Sequence, residues 1–203
     1  FTLTVSDGTA SDTMDVVITV TGANDAPSAG SDGTGAVTED ASTTTATGSI
    51  TATDDDDAAA FTYTGDATGT YGAIAVTSAG AWTYTLSNTD ADTTALDAGD
   101  SVTDAFTMTV TDSASSETDT MTVTVTITGA DDDVSAGSDQ TGAVTEDAST
   151  TTATGTIAGT DADDASSLSY SGDATGTYGA IAVVSSSGAW TYTLSNTDAD
   201  TTA

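Results

Sequence analysis

The sequence contains no lysine, arginine, histidine or cysteine. Against that absence stand 32 acidic residues, which give a formal net charge of −32 over 203 residues. Nucleic acids and anionic membrane surfaces are recognised through cationic side chains, so both are excluded as partners. The lack of cysteine excludes a disulfide framework. Because self-repulsion on this scale has to be relieved by counterions, we expect the folded chain to exist among salts and divalent cations.

Proline, aromatic residues and long apolar runs are also scarce. The chain has one proline and 5% aromatic residues, and no stretch approaches the roughly 18 apolar residues of a membrane span, so direct membrane insertion is not expected. High charge with few aromatics is typical of disorder. However, Phe106, Met108 and Val110 alternate with threonine, as do Trp82 and Tyr84. This period of two predicts strands with one buried face, with β-branched threonine on the wet side.

Long segments of the chain occur more than once. GAVTEDASTTTATG begins at Gly35 and again at Gly142, and WTYTLSNTDADTTA begins at Trp82 and again at Trp190. FTLTVSD at Phe1 matches FTMTVTD further along. A period far longer than solenoid units of about 20–50 residues indicates a whole domain, so the chain is a tandem array of similar domains.

One full copy contains seven short predicted strands and no helical period. We name them A to G, near residues 36–37, 48–53, 61–64, 73–76, 81–86, 105–111 and 120–128. Short strands with turn signals in a unit of roughly 100 residues predict an all-β fold. Specifically, we predict tandem antiparallel β-sandwiches of the cadherin or immunoglobulin-like type.

The repeat boundaries predict three parts. Residues 1–25 would be strands F and G of a preceding module with its linker, residues 26–130 a complete module, and residues 131–203 strands A to E of a third. Ala203 aligns with Ala95, so strands F and G of the third module would be supplied outside this sequence or by a neighbouring molecule through donor-strand assembly.

Successive strands run in alternating directions, and this strand parity predicts at which end of a module each acidic loop lies. We call the end beside the preceding linker the upper end and the opposite end the lower end. The A–B turn with Glu39 and Asp40 and the E–F loop at 90–104 fall at the lower end of a module, whereas the B–C turn at 54–57 and the F–G turn at 112–119 fall at the upper end. Acids at the lower end of one module therefore meet the linker and the upper-end acids of the next. Carboxylates converging without a cation would repel each other, and oxygen-only ligands on loops are those that Ca²⁺ selects.

A family resemblance rests on several motifs together. VTED at Val37, TDDDD at Thr53, AWTYTL at Ala81, LDAGD at Leu96 and the linker TGANDAP at Thr21 make the chain similar to the VCBS repeat. This is a cadherin-like module found in tandem in large bacterial surface proteins and adhesins. The resemblance implies an extracellular, calcium-stiffened β-sandwich that serves as a stalk or adhesin segment.

The resemblance also implies calcium ligands. From the linkers, the D-x-D pairs and the lower-end turns these would be Asn24, Asp25, Asp131, Asp132, Asp54, Asp56, Asp161, Asp163, Glu39, Asp97 and Asp100. The second linker departs from the pattern, because it reads ADDDV and lacks the proline that stiffens the first.

The same features allow other interpretations. The strand aromatics at Trp82, Tyr84, Trp190 and Tyr192 could form a sugar-binding face. However, they lie on the same strand faces as Leu86 and Leu194, which favours core packing. Acidic loops can be merely solvated surface. An enzyme is not expected, because histidine, cysteine and lysine are missing. The sequence therefore predicts an extracellular structural and adhesive protein whose partners are neighbouring copies of itself and possible cell-surface or biofilm ligands, with a glycan- or surface-ligand-binding module as the alternative.

Overall fold

The computed structural model describes residues 1–56, 60–163 and 168–197. Every regular element in these ranges is a β-strand, in agreement with the predicted all-β class. Within them, no helix long and apolar enough to cross a membrane is found. The strands fall into three groups along the chain, which we call the N-terminal hairpin, the central sandwich and the C-terminal sheet.

The N-terminal hairpin consists of β1 (Thr2–Ser6) and β2 (Ser11–Asp15), which pair antiparallel. Its turn uses Gly8 at φ +92°, a conformation that glycine adopts without steric penalty. The Asp7 carboxylate accepts hydrogen bonds from the backbone N–H groups of Thr9 and Ala10, both at 2.8 Å. These bonds close the turn, and they lower the pKa of Asp7 to about 2, with the Ala10 amide as the largest cause.

The central sandwich contains ten strands in two four-stranded sheets and one short pair. They are β3 (Ser28–Ala29), β4 (Gly33–Thr38), β5 (Thr45–Ser49), β6 (Ala52–Thr53), β7 (Phe61–Thr64), β8 (Ala67–Thr68), β9 (Gly72–Val76), β10 (Ala81–Leu86), β11 (Ser101–Asp112) and β12 (Thr118–Thr128). The sheet orders are β5-β10-β9-β8 and β4-β12-β11-β7, and β3 pairs with β6. Predicted strands C and E have the observed bounds. Strand B divides into β5 and β6, because its first half pairs with β10 and its second half with β3.

One strand pair departs from the purely antiparallel sandwich that the sequence predicts. β4 runs parallel to β12, with Gly33 opposite Val123 and Thr38 opposite Thr128. Strand parity explains this pairing, since both strands run from the upper end of the module to the lower end and lie side by side. All other paired strands in the described ranges are antiparallel.

The core of the central sandwich lies between its two four-stranded sheets. Its fully buried members alternate along the strands, as the period of two predicts. On the strands they are Val37, Ala46, Tyr63, Ile74, Trp82, Tyr84, Leu86, Phe106, Met108, Val110, Met121, Val123, Val125 and Ile127, and Ile50 and Leu96 join them from the connecting segments. The rings of Tyr84 and Phe106 pack with centroids 5.9 Å apart. Burial of Trp82 and Tyr84 confirms core packing for these two aromatics.

Asp104 has a structural position that differs from the predicted one. The sequence places it in the E–F loop, but it lies within β11 and is buried. Its carboxylate accepts hydrogen bonds from the N–H groups of Thr70, Tyr71 and Gly72 and from the Tyr84 hydroxyl at 2.9 Å. Burial, together with this carboxylate, raises the pKa of Tyr84. Four donors on one buried carboxylate hold the loop before β9 against the core.

The C-terminal sheet repeats only one half of this arrangement. Its strands are β13 (Thr152–Thr156), β14 (Ala174–Thr175), β15 (Gly179–Val183) and β16 (Ala189–Leu194), in the order β13-β16-β15-β14. This order matches the β5-β10-β9-β8 sheet strand for strand. A single bridge between Ser135 and Thr160 corresponds to the β3–β6 pair.

Candidate metal centres at the linkers

The upper end of the central sandwich brings the first linker to the F–G turn. The Asn24 side-chain amide donates hydrogen bonds to Asp112 Oδ2 at 3.2 Å and to Glu117 Oε2 at 3.1 Å. Asp112 is buried and also accepts from the N–H groups of Ala114 and Ser115. These bonds, that from Ala114 above all, lower the pKa of Asp112, so the carboxylate is ionised beside the linker.

The first D-x-D pair lies against the same linker. The Asp25 N–H donates to Asp56 Oδ2, and the Asp56 N–H donates to Asp54 Oδ1 at 3.0 Å. Asp54 Oδ2 is buried and finds no hydrogen-bond donor among the described residues. Asp57, the last acid of the predicted upper-end turn, lies outside the described residues. The predicted convergence of linker and D-x-D pair is therefore present at this end.

The lower end is organised around Glu39, whose side chain is only 2% exposed. Its N–H donates to the Thr128 carbonyl at 2.9 Å, and its Oε2 accepts from the Ala130 N–H at 3.2 Å. These bonds tie the end of β4 to the start of the second linker. Glu39 Oε1 is buried without a donor in the described part of the chain. An unpartnered buried carboxylate oxygen is unfavourable unless a cation accompanies it.

Three further carboxylates surround Glu39. The Asp132 N–H donates to Asp163 Oδ2 at 2.7 Å, and the Asp132 side chain contacts those of Asp40 and Asp163. Burial raises the pKa of Glu39, and the charges of Asp132, Asp40 and Asp163 raise it further. Burial likewise raises the pKa of Asp132, with Asp163 as the next cause. Like charges thus face one another in a partly desolvated place.

Two residues at this end were not among the ligands inferred from the sequence. Asp40 adopts a left-handed backbone at φ 51°, and its repeat Asp147 does the same at φ 55°. The Asn88 amide donates to Asp40 Oδ1 at 3.1 Å, while Asn88 Oδ1 is buried with no donor in the described ranges. Asp40 could have been found from the VTED motif that holds Glu39. Asn88 carries no such signal, because its approach depends on the path of the chain after β10.

The remaining predicted ligands have more varied positions. Asp163 Oδ1 is a further buried oxygen with no donor in the described ranges, and the Asp163 N–H donates to Asp161 Oδ1 at 3.2 Å. The turn from Asp97 to Asp100 lies at the lower end as predicted, because the Gly129 N–H donates to the Asp100 carbonyl at 3.0 Å. Asp131 is exposed and forms no hydrogen bond to the other candidate ligands in the described ranges.

The donor set at both linkers is oxygen only, which suits a hard divalent cation. Five buried oxygens lack a donor within the described residues: those on Glu39, Asp54, Asn88 and Asp163, and Oδ1 of Asn196, the repeat of Asn88. In those same ranges, no group of three or more acidic side chains is spaced closely enough to form a metal site as it stands. The chemistry of the residues therefore fits Ca²⁺, and the side chains would have to draw together around it.

Solved structures that the chain resembles are protocadherin fragments. The match to PcdhgB3 EC1-4 has a TM-score of 0.53 at 17% identity and covers 93% of this chain and 45% of that one. Protocadherin gamma B2 extracellular cadherin domains 1-5 match with a TM-score of 0.51 at 19% identity, and the match covers 93% of this chain and 36% of that one. Mouse protocadherin-24 EC1-3 matches with a TM-score of 0.48 at 18% identity, and the match covers 98% of this chain and 66% of that one. The chain thus spans less than two thirds of these structures. The first two matches, with TM-scores above 0.5, show a cadherin-type β-sandwich fold alone.

Comparison at the sequence level identifies the family. None of the curated protein sequences compared with the chain matches it. Residues 24–129, more than half of the chain, match the bacterial cadherin-like domain. Domains of this kind are structural and adhesive modules of extracellular proteins, are not enzymes, and in general bind Ca²⁺. This chain belongs to the bacterial cadherin-like domain family.

Proposed function

We propose that this chain is part of an extracellular tandem-repeat protein, structural and adhesive in role, in which Ca²⁺ at the linkers stiffens a stalk or surface filament. The more specific VCBS assignment and the division into modules at 1–25, 26–130 and 131–203 belong to this proposal. The segment GAVTEDASTTTATG, which begins at Gly35 and again at Gly142, supports the division, because a linker precedes each copy.

The observation that carries the proposal is the buried, unpartnered oxygen of Glu39 among three other carboxylates. Without a cation this arrangement destabilises the folded chain, because several like charges share a partly desolvated space. A stable fold with such a cluster is reasonable where a divalent cation compensates the charge. The cluster also joins the lower end of the central sandwich to the second linker, so whatever neutralises it restrains the linker as well.

Calcium, when bound, supplies two positive charges and accepts oxygen ligands in flexible geometry. At the lower end the oxygens of Glu39, Asp40, Asn88, Asp132 and Asp163 would hold it. At the upper end the candidates are Asn24, Asp54, Asp56, Asp112 and Glu117. Asp25, Asp97, Asp100, Asp131 and Asp161 remain predicted ligands whose participation is part of the proposal.

The adhesive role carries proposals about partners. Neighbouring copies of the chain are the first, and a cell-surface or biofilm ligand is the second. The glycan-binding alternative has less support, because three of the four candidate aromatics, Trp82, Tyr84 and Trp190, are buried, and Tyr192 is half-buried. A sugar-binding face needs aromatic rings that a ligand can reach.

Calcium removal tests the proposal directly. Extracellular Ca²⁺ modules bind with dissociation constants of about 10⁻⁴–10⁻³ M, and occupancy at about 100 times that constant stabilises the fold by about 2.7 kcal/mol. For a domain of this size we expect the melting temperature in excess calcium to exceed that in EDTA by about 10 °C or more. Small-angle scattering should show a more extended and less variable particle in calcium. Identical melting and scattering in both conditions would refute the calcium role.

Glu39→Gln makes the test specific to one linker. In EDTA the variant should melt higher than the wild type, because it removes a buried charge while its amide oxygen still accepts from Ala130. In calcium it should melt lower, because a charged ligand is lost. The matched control is Glu146→Gln, the same substitution in the repeated VTED motif, where the glutamate is exposed. A control that reversed sign like Glu39→Gln would contradict the assignment of the lower end.

A further inference from the structure

The first linker, residues 21–27, meets the upper end of the central sandwich as a hydrogen-bond donor. Asn24 donates through its side-chain amide, and Asp25 donates through its backbone N–H. The acceptors are all carboxylates of the central sandwich, namely Asp56, Asp112 and Glu117. Carboxylates that are brought together repel one another unless donors or a cation compensate their charge. The linker therefore does at this end part of what a cation would do.

The nitrogen of the Asn24 amide has more oxygen neighbours than it has hydrogens. Asp112 Oδ2 lies 3.2 Å from Nδ2 and Glu117 Oε2 lies 3.1 Å from it, and the Asp25 carbonyl is a third acceptor. A primary amide carries two hydrogens, so it cannot satisfy three acceptors fully. Three oxygens that converge on one centre provide surroundings that suit a cation. Asn24 Nδ2 thus stands where positive charge is favourable.

Asp112 makes this contact important for the linker and for the turn. Its side chain is only 2% exposed. Inside the F–G turn it accepts hydrogen bonds from the Ala114 N–H at 3.0 Å and from the Ser115 hydroxyl at 2.8 Å. Among the described residues, Asn24 alone donates to it from outside that turn. A buried ionised carboxylate depends on its donors, so the Asn24 amide couples the linker to the F–G turn.

Glu117 belongs to a part of the F–G turn that the N-terminal hairpin lacks. Five residues follow Asp112 before β12 begins, whereas three follow the equivalent Asp7 before β2 begins. The longer turn passes through a left-handed backbone at Ser116, with φ 66°. The Asp112 N–H then donates to the Glu117 carbonyl at 2.9 Å, which fixes the end of the turn. The additional residues thus bring a second carboxylate within reach of the linker.

We propose that the Asn24 amide is a latch that joins the first linker to the F–G turn when no cation is bound, so that this joint is ordered without calcium. Asn24 is then a positioning residue, because its amide supplies donors where like charges would otherwise meet. With calcium bound, a half-turn of the amide would present Oδ1 in place of Nδ2, since this torsion is nearly two-fold. Only this calcium-bound arrangement rests on the proposed function. The latch itself does not.

The repeat gives the latch a counterpart of different chemistry. Asp131 occupies the position in the second linker that Asn24 occupies in the first. Aspartate has nearly the shape of asparagine, but its ionised side chain has no hydrogen to donate. An F–G turn with the same two carboxylates would accept hydrogen bonds from asparagine and would repel aspartate. The choice between these two residues therefore sets how strongly a joint depends on a cation.

Nitrogen-15 relaxation of the complete 203-residue chain measures the order of the linker amides. In EDTA we expect order parameters of about 0.85 at residues 22–26 of the wild type, the value of a rigid backbone. Asn24→Asp should lower them to about 0.6 or less, because a further carboxylate would face Asp112 and Glu117. In calcium this variant should be as ordered as the wild type, since the added carboxylate is a ligand for the ion.

Asn24→Asp combined with Glu117→Gln is the matched control. The pair exchanges donor and acceptor, because the glutamine amide donates to the introduced carboxylate, and the net charge equals that of the wild type. In EDTA the double variant should recover most of the linker order. Glu117→Gln alone should resemble the wild type, because its amide oxygen still accepts from Asn24. Both residues are exposed, so the amides of β10 and β11 should keep their protection in every variant.

The outcomes separate the latch from the calcium role. A wild-type linker that is flexible in EDTA and ordered by calcium would overturn the latch and leave the calcium role in place. A double variant as flexible as Asn24→Asp would also overturn the latch, because Asn24 would then act through its shape and not through its donors. A linker that is ordered in EDTA, in a chain whose melting does not respond to calcium, would overturn the calcium role alone.

Discussion

β10 and β16 have the same sequence, AWTYTL, and the same neighbours on both sides, yet they differ in their surroundings. Trp82, Tyr84 and Leu86 of β10 are buried. In β16 Trp190 is buried as well, but Tyr192 and Leu194 are only half-buried. Strand pairing in the two sheets is the same, residue for residue. Hydrogen bonding within a sheet is therefore independent of its cover, whereas the burial of the tyrosine and the leucine depends on a second sheet that packs against it.

The largest effect is expected from truncation of the repeated tryptophan. Trp82→Ala should destabilise the central sandwich by about 3–5 kcal/mol, because a buried ring leaves a cavity. Trp190→Ala should lower the stability of the C-terminal sheet by less, because the Trp190 ring, although only 8% exposed, borders a cavity of about 570 Å³ instead of a second sheet. Hydrogen exchange of β10 and β16, measured in each variant, compares the two. Equal losses would mean that this cavity is filled in solution.

The next effect in size concerns the repeated tyrosine. Tyr84→Phe removes a buried hydrogen bond to the Asp104 carboxylate and should lower the free energy of unfolding by about 1.5–3 kcal/mol. Tyr192→Phe should have almost no effect, because no counterpart of Asp104 faces it in the described chain. Urea denaturation of both variants measures the difference. A large effect of Tyr192→Phe would show that this hydroxyl has a carboxylate partner of its own.

The smallest effect is expected from the carboxylates in the two hairpin turns. Asp7 and Asp112 occupy equivalent positions, and backbone N–H groups lower the pKa of both. A lowered folded-state pKa contributes stability that is present above the ordinary value of 3.8 and is lost as pH falls through the folded-state value, about 2 for Asp7. Carboxyl NMR shifts recorded against pH measure both groups. An Asp7 that titrated at its ordinary value would show that the N-terminal hairpin is open in solution.

Most of the strand pattern was predictable from alternation. The alternation of Trp82, Tyr84 and Leu86 predicts strand E at its observed bounds. The predicted strand F is too short, because residues 101–104 contain few apolar residues and extend β11 only by pairing with residues 125–128. The predicted loop position of Asp104 is wrong for the same reason, since an acidic residue in a strand interior is recognised only when its buried donors are known.

The candidate site was predictable in outline. Strand parity brought the linkers and the D-x-D pairs together, and Asp56 and Asp163 contact them as expected. Parity gives the end of a module at which a loop lies, but it does not give the direction of a side chain. This is why Asp131, adjacent to Asp132, is exposed, and why Asn88 reaches Asp40 without a signal in the sequence.

The strands, their alternation, the repeat and the excess of negative charge follow from the order of the amino acids alone, because these features depend on local preferences and composition. Contacts between distant segments add the parallel pairing of β4 with β12 and the burial of Asp104 in the core. Those features depend on which surfaces come together across long stretches of chain, and local preferences do not specify this.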